Sequence, residues 1–550
     1  MLLLTLLIPL IGAIITPFLN GKAVKYSSAF FSIITFAVSL LFYSGFNPSD
    51  SKFQFVTSYP WINSLDINFK FGIDGMSLLL VLLTTLIFPI AIISSWESIK
   101  EKKSFYYPLL LLLEFGVIGV FISLDTFVFY VFWELVLIPM YLLIGIWGGK
   151  ERIYAAVKFF IYTMAGSLLM LVAIIWLGHE AQKSGGAFTS DFIKLMHIGP
   201  SIPFVTQKWL FLAFALSFCI KVPLFPLHTW LPDAHTQAPT AGSVLLAAVL
   251  LKMGTYGLIR FNLQLFPQSS LYYADVISTL AVIGIIYGAL VAMVQTDIKK
   301  LVAYSSVAHL GFVVLGIFSM TVEGVQGAVL QMVNHGLSTG MLFLCVGFIY
   351  ERRHTREINE FGGVAKSMPI FAVMFAFAML SSVGAPGLNG FVGEYLTLIG
   401  TFTSQHLSSK WFAIIGASGV IFAAVYLLLL YQKIFMGAIT KTENSTLSDL
   451  TKTEIGLVIP LVILFVWIGF QPNTFLKLTE SSSRAVVGVI EKIQGENRYL
   501  PEANSRLGLA IEQPKEVNKN VTSNNSEKDQ QQIFQKQIQE QLQKQGAKQK

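Results

Sequence analysis

Apolar runs of membrane-spanning length, separated by short polar stretches, fill the chain from its first residue to about residue 474. A hydrocarbon core about 30 Å thick needs roughly 20 apolar residues per helix. By that measure the chain holds about fourteen spans, near 1–20, 27–46, 74–95, 106–124, 126–147, 153–178, 207–231, 238–261, 273–296, 299–320, 323–350, 368–402, 411–435 and 454–474. Backbone polar groups in a bilayer have to be satisfied within the protein, which leaves a helical bundle. The fold class expected is therefore an all-α polytopic membrane protein. The first run, MLLLTLLIPLIGAIITPFLN, reads as the first of these helices rather than a signal peptide. It has no basic leading region, is too long, and is followed rather than preceded by Lys22 and Lys25.

Two of the runs are broken. The span 207–231 leads into KVPLFPLHTWLPDAH, where Pro223, Pro226 and Pro232 interrupt a helix next to Lys221. The span 368–402 contains SSVGAPGLNGFVGEYL, with Gly384, Pro386, Gly387 and Gly390 shortly before Glu394. Interrupted helices at matching places in two halves point to inverted repeats around a transport path. This pairs helices 4–8 (106–261) with helices 9–13 (273–435), after an N-terminal group of three (1–105) and before a last span at 454–476. The match is one of breaks; no residue-level repeat is visible. Beyond residue 476 a polar tail (477–550) begins with KLTESSSRAVVGVIEKIQ, which suits a short amphipathic helix at the membrane interface. It ends in a Gln/Lys-rich stretch of the composition expected for disorder. In that stretch Phe534, Ile538 and Leu542 recur every four residues, a spacing that also permits a helix formed on a partner.

Composition agrees with this pattern: 54% of residues are hydrophobic, only 13% are charged, and mean hydropathy is +0.65, against about 25% charged residues in soluble proteins. The formal charge of +7 does not indicate nucleic acid, because the basic residues sit in short loops and the tail. Their distribution is a topology signal. One set of loops holds Lys22/Lys25, Lys100/Lys102/Lys103, Lys150/Arg152, Lys299/Lys300, Arg352/Arg353/Arg356/Lys366 and Lys433/Lys441/Lys452. The opposite set holds Lys52, Lys70, Lys183, Lys194, Lys208, Arg260 and Lys410. The bias puts the first set inside and both termini outside. Cys219 and Cys345 lie in separate apolar runs without ligand spacing, so neither a disulfide framework nor a zinc or iron–sulfur site is indicated.

The chemistry is expected where charge is most expensive. Each ionisable side chain at mid-bilayer costs about 2.5–3.5 kcal/mol on insertion scales. Glu134 is the only charge in FVFYVFWELVLIPMYLLIGIWG, Lys221 stands at the first break, and Lys252 lies deep in TAGSVLLAAVLLKMGTYGLIRF. His309 falls in LVAYSSVAHLGFVVLGIFSM, His335 in GAVLQMVNHGLSTGMLFLCVGF, and Glu394 follows the second break. Each has a plainer reading. A single membrane histidine can just hydrogen-bond a neighbouring helix, Glu114 can pair within the bundle, Asp74 and Asp125 can cap helices, and Lys158 can snorkel. For Glu134, Lys221, Lys252 and Glu394 an apolar residue would serve structure better. Acids, lysines and histidines in series suit protons, since burial and pairing draw their proton affinities together. A metal-ion site would instead want converging carboxylates or carbonyls.

Six stretches in order, FGIDGMSL, FWELVLIPMYLLIGIWG, KVPLFPLHTWLPDAH, AYSSVAHLGF, ERRHTREI and GAPGLNGFVGEYL, closely resemble the M-type (chain 4) subunits of respiratory NADH–quinone oxidoreductase, complex I. The resemblance implies fourteen helices, two inverted five-helix repeats, and a proton-translocating, antiporter-like subunit. Carried over by motif, Glu134 and Lys221 form an acid–lysine pair, Lys252 is the central lysine, His309 and His335 continue the polar axis, and Glu394 is the terminal acid. It further implies no cofactor in this chain, with NADH, FMN, iron–sulfur clusters and quinone handled by partner subunits. The expected partners are other membrane-arm subunits and the lipid bilayer, and the expected location is a bacterial inner membrane, with an organelle membrane as the alternative. Two rivals stay open: a Na⁺/H⁺ antiporter component without a redox partner, and a subunit that only extends a membrane arm.

Overall fold

The apolar runs fold as helices, because only internal hydrogen bonding satisfies their backbone in lipid. The computed structural model describes residues 1–183 and 186–498, with side chains as far as residue 495. The chain opens with α1 (Leu2–Ile15) and α2 (Ala23–Gly45), followed by an antiparallel hairpin of β1 (Gln54–Ile62) and β2 (Ile67–Ile73). Next come α3 (Gly75–Ser94), α4 (Lys103–Ile122), α5 (Thr126–Trp147), α6 (Arg152–Lys183) and the short α7 (Phe192–Ile198). The first interrupted segment is α8 (Phe204–Lys221) and α9 (Trp230–Gln237), followed by α10 (Thr240–Leu263), α11 (Pro267–Met293), α12 (Ile298–Phe318) and α13 (Val322–Arg353). The second is α14 (Pro369–Val383) and α15 (Asn389–Thr403), and the series closes with α16 (Trp411–Phe435), α17 (Lys452–Phe470) and α18 (Asn473–Arg498). Twelve helices among the described residues are long and apolar enough to cross a membrane, and two shorter apolar ones, Leu2–Phe18 and Pro369–Val383, join them.

The centre of the bundle is formed by α10, α12 and α13, which are buried over nearly their whole length, whereas α2, α6, α16 and α17 present apolar faces outward. Helix ends are set by carboxylates. Asp74 forms a capping box with Ser77 at the start of α3, and Asp125 accepts from Phe127 N and Val128 N at the start of α5. Asp74 has a second role: its Oδ2 lies 2.7 Å from Arg260 Nη2 in a fully buried ion pair. The hairpin, which hydropathy alone does not distinguish from a loop, caps the same end through Lys70–Asp191 and Lys194–Asp66, both 2.6 Å.

Three details differ from the sequence expectation. The limb after the first break runs to Gln237 rather than 231, so the following span starts at Thr240. Lys158 does not snorkel; its Nζ pairs with Asp233 Oδ2 of that limb at 2.7 Å. The amphipathic helix expected within 477–494 is the 26-residue α18, and it lies on protein. Leu478, Val486, Val487 and Ile490 are buried, Ser482 Oγ accepts from Gly75 N at 3.1 Å, and Ser481 Oγ donates to Pro48 O at 2.6 Å. The glycine of FGIDGMSL is required here, since a Cβ on Gly75 would come 1.7 Å from Leu478 O. The Gln/Lys-rich stretch with Phe534, Ile538 and Leu542 lies outside the described residues.

Candidate functional site

The first break shows how the chain tolerates proline beside a buried lysine. Proline carries no N–H, so carbonyls one turn earlier lose their partners. Pro223 denies Cys219 O its helical donor, and Ile220 O, whose own donor Leu224 N shifts to Cys219, is recovered by the indole N–H of Trp230 at 2.9 Å, reaching back from the start of α9. Leu224 N takes Cys219 O at 2.9 Å. Lys221, the last residue of α8, is 1% exposed. Its Nζ lies 5.5 Å from the ring centre of Trp133 and 5.3 Å from that of Phe159, and it has no hydrogen bond to any described group. The aromatic faces stabilise the cation in place of a full ion pair.

Glu134 follows Trp133 on α5 but is only half-buried. Tyr130, one turn earlier, faces it. The acid–lysine pair expected from sequence is therefore not closed in this structure. Glu134 acts on Lys221 as a nearby charge, while no ion pair joins them among the described residues, because the ammonium sits between two aromatic rings. No hydrogen bond joins Lys221 directly to Lys252.

The other four expected residues do come together. α10 widens into π-helical turns at Leu246–Leu250 and Leu258–Leu263, on either side of Lys252, a distortion that frees backbone carbonyls and recurs at functional sites. Lys252 Nζ donates to Ala247 O in the first π turn and meets His335 Nδ1 at 2.7 Å. The rings of His335 and His309 are 6.0 Å apart. His309 Nδ1 donates to Glu394 Oε1 at 2.9 Å, and its Nε2 meets Tyr426 OH at 3.3 Å. Lys252, His309, His335 and Glu394 are all at most 3% exposed. Four helices, α10, α13, α12 and α15, thus contribute one residue each to a line of lysine, imidazole, imidazole and carboxylate. Every member can hold or release a proton, and each direct contact is short enough for transfer along a hydrogen bond.

The second break positions the acid. Gly384 adopts φ +76, where only glycine is comfortable, and a Cβ on it would lie 2.9 Å from Glu394 Oε2. α15 restarts at Asn389, and a Cβ on the next residue, Gly390, would be 2.0 Å from Ser381 O. The two limbs overlap that closely only because the position is glycine.

Sequence reasoning did not single out several residues that the fold places here. His235, at the end of KVPLFPLHTWLPDAH, is fully buried and stacked on Phe343 with centroids 4.5 Å apart and planes at 4°. Neither of its ring nitrogens hydrogen-bonds a described group. It lies within electrostatic reach of Lys252 and Lys299. Phe343 also lines a cavity of about 660 Å³ walled by Lys150, Glu151, Gln237, Lys299 and Arg356. Tyr426 and Gln331 touch the histidine–glutamate pair and carry no charge that hydropathy would flag. Glu114, for which bundle pairing was weighed, is fully buried on α4 facing Ser32 of α2, apart from the line. Among the described residues no three His, Cys, Asp or Glu side chains converge as a metal site would require.

Comparison with known proteins bears on this geometry. The family described as NADH:quinone oxidoreductase/Mrp antiporter, TM matches residues 123–441, and the amino-terminal family of NADH-ubiquinone oxidoreductase chain 4 matches residues 3–118. NADH-quinone oxidoreductase subunit M of Rhodobacter capsulatus is 46% identical over 465 residues, covering 82% of this chain and 88% of the relative. A chain of respiratory complex I from Thermus thermophilus, solved with bound NADH, superposes with a TM-score of 0.81 at 31% identity, covering 89% of this chain and all of that one. A chain of the Mrp complex from a Dietzia species has a TM-score of 0.73 at 19% identity over 89% of this chain, a likeness of fold alone.

Proposed function

Because the chain belongs to the NADH:quinone oxidoreductase/Mrp antiporter transmembrane family, in its chain 4 or subunit M branch, we propose that its buried polar line is the proton path of a complex I membrane subunit. The observation that carries this reading is the buried series in which Lys252 bonds His335 and His309 bonds Glu394, with the two imidazole rings 6.0 Å apart between them. A purely structural set of charges would be paired off and finished. This one sets an amine, two imidazoles and a carboxyl in series, groups whose chemistry lets them give or take a proton.

The chain's own residues supply the steps. Lys252 holds a proton between Ala247 O and His335 Nδ1, and passing it to the imidazole leaves a neutral amine on the π turn. The His335 and His309 rings then bridge to Glu394, across a 6.0 Å centroid separation that a water molecule or a small ring rotation spans. In the first half, closing Glu134 onto Lys221 favours the ammonium, and separating the two leaves burial, only partly offset by the aromatic faces, to favour proton release. The cavity beside Phe343 and His235 gives access from one face. Its walls carry Lys150, Lys299 and Arg356, members of the loop set that the positive-inside bias assigns to the inner side. On this reading both termini lie outside a bacterial inner membrane. The two shorter apolar helices complete fourteen crossings, with 106–261 and 273–435 as inverted repeats.

Moving one charge against the membrane potential requires about 2.3 kcal/mol per 100 mV. In this reading NADH oxidation and quinone reduction, with FMN and iron–sulfur clusters held in partner subunits, supply it. Replacing Lys221 by Ala is expected to cut NADH-driven proton pumping by tenfold or more, with the complex still assembled in the membrane. Full pumping by that variant would remove Lys221 from the path. The second reading, an antiporter component without a redox partner, draws on the fold shared with the Mrp complex. Co-purification of the chain with flavin and iron–sulfur proteins separates the two.

A further inference from the structure

Side-chain amides that take no part in the proton line hold its last member. Gln331 and Asn334 lie one turn apart on α13 and are 3% and 1% exposed. Gln331 Nε2 donates to Glu394 Oε1 at 3.1 Å, the same oxygen that receives His309 Nδ1. Gln331 Oε1 accepts from Asn334 Nδ2 at 3.2 Å, and that Nδ2 also donates to Asn389 O at 2.7 Å. Asn389 is the first residue of α15, and its Oδ1 accepts from Ser381 Oγ in the last turn of α14 at 2.6 Å. The direction of these bonds is fixed from one end. The backbone carbonyl of Asn389 only accepts, so Asn334 turns its N–H to it and to Gln331 Oε1, which leaves the Gln331 N–H for Glu394. Gly393 makes the arrangement possible: a Cβ there would lie 2.3 Å from Gln331 Oε1 and 2.9 Å from Asn334 Nδ2.

We infer that Gln331 is a positioning residue that favours the ionised form of Glu394, and that Asn334 and Asn389 tie this hold to the break between α14 and α15. An amide cannot itself take up the proton at neutral pH. It biases Glu394 by donating a hydrogen bond that the carboxylate accepts better than the acid does. When the break shifts Asn389, Asn334 moves, Gln331 loses its anchor, and the carboxyl becomes the better place for the proton. The break thereby acts as a lever on the last step. The other titratable groups around Glu394 are few. α12 brings His309, α13 brings His335 behind it, and α16 brings Tyr426. α14 carries no titratable residue, and those of α17, Lys452 and Glu454, stand in its first turn, with Glu454 bound to Arg352.

The inference rests on the proton-path reading, and the test keeps the two separate. NADH-driven pumping is measured against pH in membranes carrying the assembled complex, for the native chain and for Gln331→Met, Asn334→Leu and Glu394→Gln. Gln331→Met keeps the length and loses the donor. Its pumping profile should move to higher pH by about one unit, the equivalent of a tenfold change in proton affinity. Asn334→Leu, acting through Gln331, should move it in the same direction by less. The carboxyl C=O infrared band that Glu394→Gln removes should persist to higher pH in both amide variants. Pumping by Gln331→Met that is lowered equally at every pH, unchanged, or shifted to lower pH overturns the inference. If Gln331→Met fails to assemble, Gly393→Ala, which displaces the same amide without removing a polar group, replaces it with the same expected shift. Native pumping by Glu394→Gln would overturn the proton-path reading itself. Impaired pumping by Glu394→Gln with an unmoved Gln331→Met profile overturns only the clamp.

Discussion

At the scale of single residues, the membrane-embedded charges are stabilised by three different means. Lys252 is held by its hydrogen bonds to a backbone carbonyl and an imidazole, Lys221 by two aromatic faces, and Arg260 by the carboxylate of Asp74. Only the last is a closed pair of opposite charges, the arrangement expected of a structural site. Outside the bilayer the logic is ordinary. Asp66 sits in a left-handed turn (φ 46). Although burial opposes it, hydrogen bonds from Lys194 and Thr189 hold its carboxyl below the usual carboxylate range. A lowered folded value means that its contribution is present at neutral pH and is lost as pH falls through that value. Asp66→Asn keeps the tolerance for left-handed backbone and removes the charge. Amide hydrogen exchange in the β1–β2 hairpin should therefore be faster in this variant at neutral pH, and the native chain should approach it on acidification. Equal exchange at neutral pH would show that the pair contributes nothing to the hairpin.

At the scale of elements, both interrupted helices are stabilised by what spans the gap. Across the first, the Trp230 indole bonds Ile220 O; across the second, Asn389 connects Ser381 to Asn334. Trp230→Phe preserves most of the ring contact with Phe159, whose centroid is 5.3 Å away, and removes only the donor. An unpaired buried carbonyl costs about 1–3 kcal/mol. The assembled complex should then dissociate at lower temperature, an effect absent from an exposed control such as Trp411→Phe. Identical thermal behaviour of the two variants would mean that the indole bond does not hold the break. The breaks were legible in the sequence because proline and glycine stand out in an apolar run. What bridges them was not, since Trp230 and Asn389 gain their meaning from partners that only the folded backbone brings near.

Across the whole molecule, sequence was informative where charge and hydropathy disagree. Glu134, Lys221, Lys252, His309, His335 and Glu394 are conspicuous because titratable groups are costly in lipid, and the fold joins four of them in one line. The Glu134–Lys221 contact was expected but is open, because motif spacing does not encode the rotamer that places the ammonium between Trp133 and Phe159. Gln331, Tyr426 and His235 escaped notice for different reasons. The first two are neutral, and the third lies in a motif whose proline and lysine explain its oddity without it. The packing of α18 on protein was not legible because its apolar stripe of Leu478, Val486, Val487 and Ile490 reads equally as a face for lipid or for protein. Only the glycine at position 75 and the polar contacts of Ser481 and Ser482 decide between them.

The account depends on Lys252, where the π turns of α10 meet the first imidazole. The most direct test measures proton pumping and quinone reduction together in membranes carrying Lys252→Met, with assembly of the complex verified. The account predicts that both rates fall together by tenfold or more while the complex remains intact. Native rates of both in that intact complex would contradict it, and would leave the buried line as a scaffold rather than a path.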